Sequence, residues 1–197
     1  MKYNLDEKLL ASTPYRILPW DVIKNLRATS VLSKPGACEA YRKIGARLLG
    51  TCMAKDGVGI AAPQVGVFKS AFLIREFGRG DDGNIVPLLS FRLYLNPKWV
   101  GVPEGGQTID VEHCLSVAGA GIAISRFNVI EATWEEFDEK DNLVPMARVF
   151  EGQEARIVQH ESDHLLGISI PQRFEMQNNH NKNKTPSRKK AKRKRRA

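Results

Sequence analysis

No apolar run in this sequence approaches the roughly 18 residues that a membrane-spanning helix needs, and the opening MKYNLDEKLL has acidic residues where a secretory leader has an apolar core. The expectation is a cytoplasmic protein without a membrane partner. Cysteine is sparse: Cys38, Cys52 and Cys114 are the three present, and their spacing is not that of disulfides. Such thiols suit a reducing compartment, where each is core filler or a ligand. Histidine numbers only four, so two of them placed four positions apart need a reason. Acid is what the C-terminal end lacks. Residues 175–197 hold ten Lys or Arg against one Glu, leaving 20 basic and 21 acidic residues elsewhere, so the formal charge of +8 belongs to the tail. With almost no apolar side chains to bury, EMQNNHNKNKTPSRKKAKRKRRA is expected to be disordered, and the folded domain to span residues 1–174.

What remains is an ordinary globular composition, 42% apolar and 26% charged, enough for one domain with a sizeable core. In CEAYRKIGARLLGTCM, residues 38–53, Tyr41, Ile44, Leu48 and Cys52 recur at spacings of three and four, the stripe of an amphipathic helix. From residue 68 to 150 the pattern shortens to FKSAFLI, FRLYLNP, QTIDVEHCLSV, NVIEATWEEF and LVPMARVF, interrupted by the turn clusters DDGN and DEKDN. These runs predict antiparallel strands. After Gly152 the helical period returns, with Ile157, His160, Glu161 and His164 on one face and Gly167 placed to end the helix. Helix, strands, helix and tail make an α+β fold.

The last helix contains QHESDHLLG, residues 159–167. Histidines at i and i+4 bring two imidazoles onto adjacent turns, within reach of one cation, and the glutamate between them can exchange a proton with water there. The bland reading is a solvated helix face. A third ligand decides between the two. The extension HExxHxxGxxH fails because Ile170 stands at the third histidine's position, and the one acidic residue after His164 is Glu175, at the edge of the polar tail. The strand VEHCLSV offers Cys114, a soft donor suited to iron or zinc, or else His113. Strand neighbours point to opposite faces, so only one of the two can join the histidine pair.

A third segment, GVGIAAPQVG at 57–66, matches the loose dinucleotide pattern GxGxxA, with Asp82 about 20 residues on. Such a loop follows a strand and opens a helix, whereas here a helix precedes it and Pro63 leads into strand-like sequence. The alternative is an extended, glycine-rich segment along a cleft, its backbone open to a peptide and Gln64 supplying an amide donor.

Together and in this order, GVGIAAPQ, EHCLS and QHESDHL resemble the three signature motifs of the peptide deformylases, which remove the formyl group from the initiator methionine of new proteins. Asn96-Pro97, Arg126 and the lead-in EARIVQ extend the resemblance over residues 14–174. It implies antiparallel β-sheets surrounding a central helix that carries HExxH. It implies Cys114, His160 and His164 as ligands of one divalent metal, Fe(2+) foremost, with Zn(2+), Ni(2+) or Co(2+) able to replace it. Glu161 would be the catalytic acid and base, Gln64 and the Leu115 N–H the oxyanion donors, and Val58 and Gly59 the contacts to the peptide backbone. A hydrophobic pocket would take the methionine side chain, and Arg126 would pair with Asp163 to steady the helix. The implied partners are formyl-Met nascent peptides, and the working form a monomer.

Two positions depart from the family pattern. His113 stands where glycine is usual, so its Cβ is expected to crowd the backbone beside the metal. Ser162 takes a commonly apolar position and is expected at the solvent face. The basic tail adds the ribosome, through ribosomal RNA, as an expected partner. Two other functions fit part of the sequence. An HExxH metalloprotease leaves EHCLS and GVGIAAPQ without a role, and a low-activity deformylase-like protein would bind RNA through the tail.

Overall fold

The computed structural model describes residues 1–4 and 14–184. The described strands are β1 (Lys2–Asn4), β2 (Gly59–Ala61), β3 (Ala71–Arg79), β4 (Ile85–Gly101), β5 (Gln107–Cys114), β6 (Val117–Phe127), β7 (Val129–Phe137) and β8 (Leu143–Glu151). The described helices are α1 (Trp20–Ile23), α2 (Ala37–Met53), α3 (Gly152–Leu165) and α4 (Ile170–Lys184). Six strands form an antiparallel sheet in the order β2-β3-β4-β7-β8, with β1 also on β4, while β5 and β6 pair with each other as a separate two-stranded sheet.

Strand β3 shows why the large sheet is covered on both faces. Its start, Ala71-Phe72-Leu73-Ile74, is apolar at every position, as a strand buried on both sides must be. Ala71 and Leu73 join Tyr41, Leu48, Leu49 and Cys52 of α2 in one core. Phe72 and Ile74 point the other way, into a second core with Ala155, Ile157, Val158 and Leu165 of α3. The stripe expected on α2 is thus buried, with Ile44 half-covered at its margin.

Helix α3 is buried at every residue from Glu154 to Leu165 and packs against β2, β3, β6 and β8. The expectation of a solvent-facing Ser162 therefore fails: the residue is buried, and its hydroxyl donates back to the Val158 carbonyl at 2.6 Å. The helix ends at Gly167, φ +73°, with Gly167 N–H donating to His164 O at 3.2 Å and Ile168 N–H to Asp163 O at 2.9 Å. That is a Schellman closure, which needs a residue at ease in the left-handed region.

Two segments differ from the sequence reading. VAGAGIAISRF, where glycine and alanine hide the alternation, forms β6 along the full length of β5. Helix α4 runs past Phe174, where composition placed the end of the folded domain, and reaches Lys184. Its attachment is polar: Arg173 binds Asp163, and one turn on Gln177 exchanges two hydrogen bonds with the Ser125 backbone, at 3.2 and 2.7 Å. A search for apolar stripes does not register such contacts. Residues 185–197, the rest of the expected disordered tail, lie outside the described residues.

Candidate metal centre

Strand β5 ends at Cys114, and α3 carries His160 and His164 on successive turns. One sulfur and two ring nitrogens from these residues lie within 4.8 Å of one another. Cys114 Sγ is 3.2 Å from His164 Nε2, and the two Nε2 atoms are 3.1 Å apart. Donors bonded to one cation at about 2.0–2.3 Å in a tetrahedron stand about 3.3–3.6 Å apart, so the spacing is close to that of a three-donor site with a fourth position open. Each ring's other nitrogen is already engaged: His160 Nδ1 with Glu112 Oε2 at 2.9 Å, His164 Nδ1 with the Ile168 carbonyl at 3.2 Å. Those contacts turn both Nε2 atoms toward one point, where only a shared positive centre reconciles their lone pairs. Burial holds His164 well below the usual imidazole range. At His160 burial opposes a positive charge, yet the neighbouring Cys114 and the hydrogen-bonded Glu112 outweigh it and raise the group to about 10.

Behind the histidines lies a buried charge network. Arg126 from β6 grips Glu112 with two hydrogen bonds of 2.9 Å and reaches Asp163 with a third of 2.6 Å. Arg156 adds a bond of 2.8 Å to Glu112, and Arg173 from α4 adds one of 2.9 Å to Asp163. Burial alone would raise the Glu112 carboxyl, but Arg126 and His160 carry it down to about 2, so it stays ionised as the acceptor for His160.

Glu161 is equally buried and differently placed. Its Oε2 is one of two buried side-chain polar atoms without a partner among the described residues, and burial pushes the carboxyl up to about 7. Strand β2 passes so close that a Cβ on Gly59 would lie 2.6 Å from Glu161 Oε1, which only glycine avoids. A 3-10 turn at Ala62–Val65 then presents Gln64, whose Oε1 accepts the Ala61 N–H at 2.8 Å while Nε2 faces Ser116 Oγ at 3.1 Å and Cys114 Sγ at 3.7 Å. These groups open onto a cleft of about 380 Å³ that Val58, Gly59, Leu115 and Ile157 also line.

The sequence profile described as polypeptide deformylase matches residues 24–180, a span that contains every one of these groups. The chain belongs to the polypeptide deformylase family. The peptide deformylase of Leptospira biflexa is 33% identical to it over 133 residues, 65% of this chain and 69% of the relative. That of Clostridium botulinum is 34% identical over 160 residues, 74% and 92% of the two chains. The solved deformylase from Thermotoga maritima superposes with a TM-score of 0.64 at 29% identity, covering 81% of this chain and 97% of its own. A class I type b deformylase from Acinetobacter baumannii shares the fold, with a TM-score of 0.69 at 24% identity over 82% and 99% of the chains. The readings as a metalloprotease or as a low-activity, RNA-binding relative gain no support from this membership.

In this deformylase-family chain the fold brings Cys114, His160, Glu161, Gln64, Leu115, Val58 and Gly59 to one cleft, His164 to Cys114 and His160 at its floor, and Arg126 to Asp163 behind it. Cys114, rather than His113, faces the histidines. The His113 ring lies over Gly121 of the partner strand, where a Cβ would come within 2.7 Å of His113 Nε2. Glu112, Arg156 and Arg173 were missing from the sequence reading. Glu112 carries a signal, standing two positions before Cys114 in the same strand, although the pairing register shifts between the two.

Proposed function

We propose that this chain removes the N-formyl group from the methionine of newly made polypeptides and releases formate, as a divalent-metal hydrolase. The observation that carries the reading is the convergence of Cys114, His160 and His164 beside the buried, partnerless oxygen of Glu161. The donor set fits a cation: one thiolate and two imidazoles, oriented from behind by Glu112 and the Ile168 carbonyl. We assign Fe(2+) as the working metal on the strength of the soft sulfur donor, with Zn(2+), Ni(2+) and Co(2+) as substitutes.

A cation in that nest supplies Lewis acidity toward the formyl oxygen and makes water a better nucleophile. The remaining work falls to the protein. Glu161, at about 7, takes a proton from water near neutral pH and returns it to the departing amine. Gln64 Nε2 and the Leu115 N–H donate to the oxygen that becomes anionic. Gln64 is fixed beforehand, because Ala61 holds its other amide atom. Strand β2 ends the large sheet, so its outer edge, with Val58 and Gly59, is the place for a peptide backbone. Helix α3 we read as the family's central helix, Arg126 and Asp163 serving to fix its position.

We assign residues 1–184 to the catalytic unit and the following basic residues to a tail that docks on ribosomal RNA, in a monomeric, cytoplasmic enzyme; no helix among the described residues is long and apolar enough to cross a membrane. The test is formate release from formyl-Met-Ala-Ser by protein purified without oxygen, with metal analysis of the same sample. Release that scales with iron content supports the reading. A metal-loaded sample that releases no formate overturns it.

A further inference from the structure

The cleft at the metal centre is walled by one face of α3, by the Asp110–Cys114 end of β5 and by the segment from Lys55 to Gly59, where Lys55 and Asp56 offset each other in charge. Gln153, Arg156, Ile157, His160 and Glu161 all line it, at the i, i+3, i+4, i+7, i+8 spacing of a single helix face. On the strand, Thr108 Oγ1 and Glu112 Oε1 both receive the Arg156 guanidinium, at 3.1 and 2.8 Å. Asp110, between them in the period-2 alternation, shares their face and lines the cleft. Going outward from His160, the wall becomes more polar. The first turn offers Ile157 and the methylenes of Arg156, whose guanidinium is committed to Glu112, Thr108 and the Ile124 carbonyl and leaves its stem for the cleft. The next turn offers Gln153, and the strand offers Asp110, whose Oδ1 accepts the Val111 N–H at 2.8 Å and whose other oxygen is left for the cleft; both residues are exposed. At 1.5 Å rise per residue, Gln153 lies about 10 Å along the axis from His160, the range of a long unbranched side chain whose backbone is held at the metal centre.

We infer that this pocket takes a first side chain with an aliphatic stem and a cationic tip, Asp110 and Gln153 being the specificity determinants, so that N-formyl peptides beginning with lysine are substrates alongside those beginning with methionine. The inference rests on the deformylase reading. An apolar pocket rejects an ammonium group because it must be stripped of water, whereas a carboxylate and an amide at the far end replace that water with charge-assisted hydrogen bonds. Ile157 and the Arg156 stem keep the inner part suited to methionine.

The experiment compares kcat/KM for formyl-Xaa-Ala-Ser peptides with Xaa as methionine, norleucine or lysine, since lysine adds an ammonium to the norleucine side chain. In the unaltered protein the lysine peptide is expected at no less than one-tenth of the norleucine value. Asp110→Leu should lower the lysine-to-norleucine ratio by tenfold or more, Gln153→Leu should move it the same way by less, and Asp110→Asn should recover part of the loss. A lysine peptide below one-tenth of norleucine in the unaltered protein, or a ratio that Asp110→Leu leaves unmoved, overturns the inference while the methionine peptide still reports a deformylase. Absence of formate from every peptide, methionine included, overturns the deformylase reading and this inference with it. Should Asp110→Leu not fold, the ratio in the unaltered protein and in Gln153→Leu decides.

Discussion

Three carboxylates lie buried around the histidines, and arginines hold two of them. Glu112 is gripped by Arg126 and Arg156, and Asp163 by Arg126 and Arg173. Glu161 has no arginine, one partnerless oxygen and a pKa near 7, an arrangement too costly for a structural acid and suited to one that exchanges protons. Glu161→Gln should therefore lower formate release by about 10²–10⁴-fold. Metal content, read by elemental analysis, should stay unchanged, because the three donors are untouched. The sequence displayed His160, Glu161 and His164 openly, since helical spacing is a local property. Choosing Cys114 over His113 took the family resemblance, because which face of a strand meets a helix is settled by tertiary packing. The part played by Glu112 was hidden for a related reason: a buried acid is tolerable only through arginines 14 and 44 positions away.

Among the elements, the end of α3 ties backbone geometry to the site. Gly167 at φ +73° has the Leu26 carbonyl 2.9 Å from where a Cβ would stand. Gly167→Ala should cost about 2 kcal/mol from the left-handed conformation and the contact together, a fall of about 4–8 °C in Tm for a chain of this size. It should also loosen metal retention, measured by chelator competition, because the neighbouring Ile168 carbonyl holds His164. Across β3 and β4, burial alone would raise the Glu76 carboxyl, yet hydrogen bonds from Lys2, Ser90 and Arg92 keep it below its usual range. A carboxyl depressed in the folded state stabilises fully above its unfolded value, about 4.5, and loses that contribution as pH falls through the folded value. Glu76→Gln should accordingly flatten the acid side of a plot of Tm against pH below 5, with little change of slope above it. Strands with β-branched or aromatic alternation were legible in the sequence, while β6 was not, since Gly119, Gly121 and three alanines carry no period.

For the molecule as a whole, a cut that spares every described element must fall beyond α4. A cut after Lys184 removes eight Lys or Arg and should leave turnover of a short formyl peptide near the full-length rate. If about five of them meet phosphates, binding of the full-length protein to ribosomal RNA should fall with log salt at a slope near −3.5 to −4.5, and the truncated protein should lose it. Salt-insensitive binding, or binding that survives the cut, would remove the tail from the account. A cut after Phe174 also deletes Gln177 and its bonds to Ser125, so a lower Tm is expected there. Composition could place the charge, but it could not see that a polar helix is held by its side chains.

Strands β5 and β6 share backbone hydrogen bonds with each other and none with the six-stranded sheet. Cys114 stands on this hairpin and both histidines on α3, so an ion bound by all three closes a covalent-like ring through the chain between residues 114 and 160. In that sense the metal is a cross-link as well as a reagent, and chelation should turn the hairpin into a unit that opens on its own. Amide hydrogen exchange would show this as faster exchange between Gln107 and Phe127 in metal-free protein, with β3 and β4 still protected. The same opening would give a protease its first cut at the hairpin, so metal supply would govern the lifetime of the protein and not its activity alone.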